Sequence, residues 1–208
     1  ILAEDCERKI IQAVTEATKI LVEGGIHEYT EARNINVTEK HILDIIHRKT
    51  ASMISVSARL GGLLANATEQ QETAIISFGD DFGMAFQLMD DALDYDADEA
   101  VLGKPTGTDF KEGHVTLPLH HLYNNADRSL KKEIEAFIKN ENITEKDLQY
   151  VVGHMHKQKS IEYTVNLARF YIDRAKSHLR KADFPAPQYI EHFDAVADYI
   201  HSRHAVTP

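Results

Sequence analysis

With a single cysteine, Cys6, the 208-residue chain cannot form an internal disulfide, and no Cys or His stands at zinc-finger spacing from it. A reducing, cytoplasmic setting is the expectation that follows. Long apolar runs are missing too. Stretches such as Gly61-Gly62-Leu63-Leu64-Ala65 fall far short of the roughly 20 residues that span a bilayer, and no signal peptide is visible, so no transmembrane segment is expected. Positive charge is also in short supply. With 23 Lys and Arg against 33 Asp and Glu, the formal charge is -10, and the acidic residues are spread along the chain rather than gathered in a tail. That balance argues against a nucleic-acid backbone or an anionic membrane surface as the main partner, and leaves open a site that works with cations.

Several catalytic signatures fail. Gly103-Lys104 is not a P-loop, because position 98 is Asp rather than Gly and Pro105 follows the lysine. Twelve histidines include no His-Glu-x-x-His, and no Glu is followed three residues later by His as di-iron bundles require. His154 and His156, on either side of Met155, are expected in a solvated loop. There is no Gly-x-Ser-x-Gly elbow. Period-two alternation between hairpin turns, internal repeats and low-complexity linkers are likewise absent.

What is present is helical periodicity. Ile10, Val14, Ala17 and Leu21 step by three and four, predicting a helix that ends near Gly24-Gly25. Thr38 is a good N-cap for a second helix with Ile42, Ile45 and Ile46 inward, continuing with a kink through Lys49 to Ala67. A long helix is predicted over about Gln71 to Tyr95, a loop at Gly103 to Gly107, and helices near Thr116 to Asn124 and Asp127 to Lys139. Thr144 and Asp147 read as a capping box opening a short helix toward Gly153. Ile161, Val165, Ala168, Ile172, Ala175 and Leu179 mark another helix, and Pro185 and Pro187 precede a last one carrying Ile190, Phe193, Ala197 and Ile200. The expectation is a single all-α domain over residues 1–208, with a core that 43% apolar residues can fill.

The long helix ends in Gln87-Leu88-Met89-Asp90-Asp91-Ala92-Leu93-Asp94-Tyr95. Asp90 and Asp94, four apart, share a face, with Gln87 a turn earlier. Two half-buried carboxylates about 6 Å apart repel by roughly 3 kcal/mol at an effective dielectric near about 20, so an oxygen-seeking divalent cation is a natural compensation. A solvated acidic helix end is the commoner fate of such a cluster. Its neighbours shift the balance. Lys49-Thr50-Ala51 lies upstream, and Gly103-Lys104-x-x-Gly107-x-Asp109 followed by Glu112-Gly113-x-x-Thr116-Leu117-Pro118-Leu119 lies downstream.

In this order and at these separations the three blocks resemble the trans-isoprenyl (polyprenyl) diphosphate synthases, from about Val22 to Tyr123; the last helices match only in being helical. The resemblance implies an isoprenoid synthase type helical bundle and a Mg²⁺-dependent prenyltransferase that joins isopentenyl diphosphate to an allylic diphosphate. It implies that Asp90, Asp91 and Asp94 form the second aspartate-rich motif and hold Mg²⁺, with Asp90 the direct ligand. It further implies that Lys49 and Lys104 contact the allylic diphosphate, and that Thr50 and Gln87 lie beside the developing allylic cation. Met53, Phe86 and Met89 are expected among the apolar lining, although ordinary core packing is the commoner role for any one of them.

His114 stands where many relatives have Lys, and a neutral imidazole there would hold diphosphate less well. Gly25 stands where Glu is frequent. The first aspartate-rich motif has no counterpart in these residues, and the chain opens at Ile1 already in helical pattern, so it is expected to be truncated at its N-terminus and inactive alone. The resemblance also implies a homodimer, and the wording of the Glu112 to Leu119 block leans toward a long-chain product for a quinone side chain. Two alternatives carry part of the pattern. A terpene cyclase of similar fold would not be expected to have the Gly-Lys and Thr-Leu-Pro blocks, while a non-catalytic subunit or scaffold would leave the lysines and aspartates without a task.

Overall fold

The computed structural model describes residues 7–96, 106–140 and 142–205, and among them every regular element is helical. Helix α1 (Arg8–Glu31) does not stop at Gly24-Gly25 but runs another turn and a half. The reason is packing. A Cβ on Gly24 would stand 2.7 Å from Arg48 Cβ and 2.9 Å from the Lys49 nitrogen, so this glycine is where another helix comes close rather than where α1 ends. The inward face of α1 is made of small residues, Ala13, Ala17 and Gly24, while Ile10, Val14 and Leu21 are only half-buried.

Thr38 accepts a hydrogen bond from the His41 N–H and opens α2 (Glu39–Ile46) as expected. The anticipated kinked continuation is a π-helical turn, His47–Ala51, leading without interruption into α3 (Ser52–Leu64). Such a turn carries one extra residue and breaks the 3.6-residue register, which reorients the side chains of Lys49 and Thr50 relative to a regular helix.

The 28-residue α4 (Glu69–Asp96) is the axis of the molecule. On one side it meets α3 and the π-helical turn so closely that a Cβ on Gly79 would fall 2.6 Å from Ser55 Cα, and one on Gly83 would fall 2.4 Å from Ala51 Cα. A short helix, α5 (Thr108–Glu112), was not anticipated; glycines at positive φ, Gly107 at 66° and Gly113 at 85°, flank it.

After α5 come α6 (Leu117–Asn125) and α7 (Arg128–Lys139), the latter capped by the Asp127 carboxylate. The Thr144/Asp147 capping box opens α8 (Glu145–Lys157), which passes Gly153 and carries His154 and His156 in its last turn, so both lie on a helix rather than in a loop. All six predicted inward residues of α9 (Ser160–Leu179) are buried. In α10 (Gln188–Ala205) Ala197 and Ile200 are buried, whereas Phe193 is exposed.

The largest buried cluster joins α2, α4, α6, α7, α8 and α9 through Leu88, Met89, Leu117, Leu122, Ile134, Val151, Val165 and their neighbours. The pairing of α4 with α9 is the most extensive contact, followed by α4 with α3. Among the described residues no helix is long and apolar enough to cross a membrane.

One buried charge locks the central pair. Asp81 of α4, 5% exposed, accepts from Arg174 Nε at 2.6 Å on Oδ2 and from Arg174 Nη2 at 2.5 Å on Oδ1, with His178 Nε2 3.0 Å from Oδ2. A fork-on-carboxylate pair is the strong form of an ion pair. Arg174→Ala leaves the interior carboxylate with His178 alone, whereas Asp81→Ala leaves a guanidinium that water can reach. Arg174→Ala is therefore expected to cost more, about 3 kcal/mol against about 1–2 kcal/mol in urea denaturation. Equal, negligible losses would show that the clamp is not part of what holds α9 to α4.

Candidate functional site

Two of the close approaches of the fold, at Gly24 and Gly83, converge on one place. Because Gly83 lets α4 sit against Ala51, the neighbouring Thr50 reaches Gln87 one turn further along, and its hydroxyl donates to Gln87 Oε1 at 2.8 Å. The other end of the same amide donates from Nε2 to Asp91 Oδ1 at 2.8 Å. Because Gly24 lets α1 sit against Lys49, Glu28 one turn further along meets the ammonium, its two oxygens 2.7 and 2.6 Å from Nζ. A hydroxyl, an amide, a carboxylate and an ammonium from three helical segments thus edge a single cavity of about 230 Å³.

The rest of its wall comes from two sources. Val37, Ile42, Ile45, Ile46 and Val115 supply the apolar part, and Asp109, Glu112, His114 and Thr116 the polar part. Met53, Phe86 and Met89 do not line it. Met89 is fully buried in the core, Met53 packs on the small cluster of Ala13, Ala17 and Val56, and Phe86 is exposed beside Arg203, whose guanidinium lies 5.7 Å from its ring centre. The helical face explains this. Gln87 and Asp91 are four apart and point into the cavity; Met89 is on the opposite side of α4.

The aspartates part company in the same way. Asp91 is buried and lines the cavity. Asp94 is buried too, accepting from the Asp109 N–H at 3.0 Å, while its own carbonyl accepts from the Gly107 N–H at 2.7 Å, so α5 is stitched to the end of α4. Asp90 is half-buried and 3.6 Å from Arg203 of α10. Of the three, the one that lines the cavity with Lys49, Thr50, Gln87 and His114 is Asp91. Lys104 lies outside the described residues.

Burial pushes the Asp91 carboxyl well above the usual range, and the charges of Asp109, Asp90 and Asp94 add to the rise, against the lowering hydrogen bond from Gln87. Burial likewise raises Tyr95 well above its ordinary value, and its hydroxyl is 3.3 Å from Thr116 Oγ1. His114 is raised above 6.5, chiefly by Asp109, whose Oδ1 is 3.8 Å from Nδ1, with Glu28 and Glu112 contributing. The imidazole at this position therefore holds its proton to higher pH than an isolated histidine, and is closer to a lysine in charge than its identity implies.

Glu28, Glu31, Asp109 and Glu112 are the charged site residues that sequence reasoning did not single out. Asp109 was within the Gly-Lys-x-x-Gly-x-Asp block, which was the available signal. Glu28 lies beyond the point where α1 was predicted to end, so it carried no expectation. Chemically, the arrangement sets the Lys49 ammonium and the His114 imidazole, whose proton affinity is raised, on one rim against the recessed Asp91 carboxyl, which burial also raises. It suits a ligand with anionic oxygens at one end and a multivalent cation between those oxygens and Asp91.

Comparison with known proteins places this geometry in context. A family model described as polyprenyl synthetase matches residues 1–155, well beyond the stretch the motifs span. The octaprenyl diphosphate synthase of Haemophilus influenzae is 35% identical over 178 residues, covering 84% of this chain and 50% of that protein. Component 2 of the heptaprenyl diphosphate synthase of Bacillus subtilis is 32% identical over 180 residues, covering 86% of this chain and 50% of that protein. Among solved structures, a Caulobacter crescentus polyprenyl synthase complexed with calcium and isoprenyl diphosphate superposes with a TM-score of 0.90 at 30% identity, over 95% of this chain and 60% of that one. The chain spans about half the length of the curated relatives it matches. The bundle is thus of the isoprenoid synthase type.

Because Asp109 acts on both titrating groups, one variant tests the electrostatics. Asp109→Asn should move the His114 titration to lower pH, read by NMR of the imidazole, and lower the Asp91 carboxyl toward its ordinary value. A His114 titration that stays where it was would mean that Asp109 is not its main partner.

Proposed function

The chain belongs to the polyprenyl synthetase family, and from that premise we propose that the protein is a Mg²⁺-dependent prenyltransferase that condenses isopentenyl diphosphate with an allylic diphosphate. The observation that carries the proposal is that Lys49, Thr50, Gln87, Asp91 and His114, drawn from three separate sequence blocks, line one cavity. Its volume, about 230 Å³, suits a diphosphate and the reacting end of a prenyl chain rather than a long tail. The Caulobacter relative with calcium and isoprenyl diphosphate bound supports both the cation and the ligand class.

In this reading Lys49, Lys104 and His114 hold the allylic diphosphate, and Asp90, Asp91 and Asp94 hold the metal. The residues fit a dication, since a buried carboxyl raised by burial and by neighbouring carboxylates gains most from one. Mg²⁺ supplies, when bound, neutralisation of the charge that collects on the leaving diphosphate. Lys49 exchanges its Glu28 partner for a diphosphate oxygen. Thr50 and Gln87 present oxygens toward the allylic carbons as positive charge develops there, in a preorganised arrangement that costs no reorientation. Ile42, Ile46 and Val115 keep water from the cation. The allylic C–O bond breaks and diphosphate leaves, the isopentenyl double bond attacks the allylic carbon, and a proton lost to the departed diphosphate restores an alkene.

These 208 residues hold one Asp-Asp-x-x-Asp motif, so the assay belongs with the full-length protein. There Asp90→Ala and Asp91→Asn should each lower the rate by about a hundredfold or more, several kcal/mol of transition-state stabilisation. Wild-type turnover in Asp91→Asn would remove the assignment. The Bacillus relative, a numbered component of its synthase, motivates a second reading in which the protein works beside a partner chain; activity of the purified full-length protein alone decides against it.

A pH dependence follows from Asp91. With its folded-state carboxyl raised, the folded protein binds more protons than the unfolded chain, so this group takes stability away as pH rises through that range. A dication binds the ionised form and reverses the trend. The gain in Tm on adding Mg²⁺ should therefore grow as pH rises above the ordinary carboxylate range in wild type and flatten in Asp91→Asn. A gain that shrinks with pH would contradict the placement of the metal.

A further inference from the structure

Outside the lining of the cavity, His27 of α1 and His41 and Asp44 of α2 bring one ligand atom each to within 4.8 Å of one another. We infer that these three side chains form a second metal site, for a borderline-soft divalent cation of the zinc class. The inference does not depend on the proposed reaction.

Two orphaned nitrogens carry the argument. His27 Nδ1 and His41 Nε2 are both shut off from solvent and have no hydrogen-bond partner. Each faces a carboxylate just out of hydrogen-bonding range, His27 Nδ1 at 4.0 Å from Asp44 Oδ2 and His41 Nε2 at 3.7 Å from Glu31 Oε1. A shielded nitrogen without a partner costs about 1–3 kcal/mol, and two of them side by side in stacked rings, 5.5 Å between centres and 17° between planes, are costly to leave so. A cation between the nitrogens and the carboxylate satisfies all three at once.

The donor set selects the ion. Imidazole nitrogens with one carboxylate suit zinc, cobalt or nickel, whereas Mg²⁺ prefers oxygens throughout. Tetrahedral bonds of about 2.0–2.1 Å put ligand atoms about 3.3 Å apart, so no pair has to close by more than about 1.5 Å. Side-chain rotation can supply this, because His27, His41 and Asp44 are 40%, 34% and 40% exposed and none is locked in the core. Asp44 Oδ2 already accepts from Arg48 Nε at 2.7 Å, which orients the carboxylate and leaves its other oxygen for the ion. Glu31 or water completes the coordination. Since Glu28 and Glu31 of α1, and Ile42 and Ile45 of α2, line the cavity, the ion would clip together the two helices that form its wall.

Co²⁺ is the probe, added to the full-length protein with excess Mg²⁺ present. One Co²⁺ per chain should bind with visible d–d absorption, displaced by Zn²⁺, and Asp91→Asn should leave it intact. His27→Gln and His41→Gln should each weaken binding by about tenfold or more, with circular dichroism reporting folding and Asp44→Asn serving where a histidine variant fails to fold. Absence of d–d absorption in wild type, or undiminished binding in folded His27→Gln or Asp44→Asn, overturns the site.

Discussion

Carboxylates buried at the end of an apolar helix are the constraint to which the rest of the structure answers. Asp91 and Asp94 are both sunk below the surface of α4, with Asp109 and Asp90 close enough to add to the burden. The protein offsets part of it with neutral donors, the Gln87 amide for Asp91 and the Asp109 N–H for Asp94. A neutral donor stabilises a carboxylate by far less than burial beside like charges costs it, which is why Asp91 remains raised. A group in that state is poorly suited to pure scaffolding and well suited to taking up a cation with a ligand.

The geometry around it rests on the absence of side chains. Gly24 and Gly83 remove a Cβ where α1 and α4 press on the π-helical turn from opposite sides. The same two contacts set Glu28 against Lys49 and Gln87 against Thr50. Fold and site are therefore coupled at the level of single atoms. At the Lys49–Glu28 pair a carboxylate of the chain itself meets a partly exposed ammonium.

Much of this was legible in the sequence, and the failures have physical causes. The helices of α4 and α9 announced themselves because long amphipathic repeats bury one face whatever the neighbours do. Thr144 and Asp147 were legible for the opposite reason, since a capping box is satisfied locally. Gly24 misled because a glycine at a helix end and a glycine at a helix crossing look alike until the partner helix is known. The π-helical turn was invisible to a 3.6-residue template, yet it carries Lys49 and Thr50. In the site, the order of the three blocks was legible, but which aspartate lines the cavity depended on the rotation of α4, which also carries Phe86 and Met89 away from it, while Met53 on α3 packs against α1 instead.

The central claim is that a divalent cation belongs among the acidic groups at the end of α4. Its most direct test is anomalous diffraction from crystals of the full-length protein soaked in Mn²⁺ with inorganic pyrophosphate. The account predicts an anomalous peak within bonding distance of Asp90, Asp91 or Asp94 and of a pyrophosphate oxygen held by Lys49. Pyrophosphate bound at Lys49 with no peak beside any of the three aspartates would contradict it.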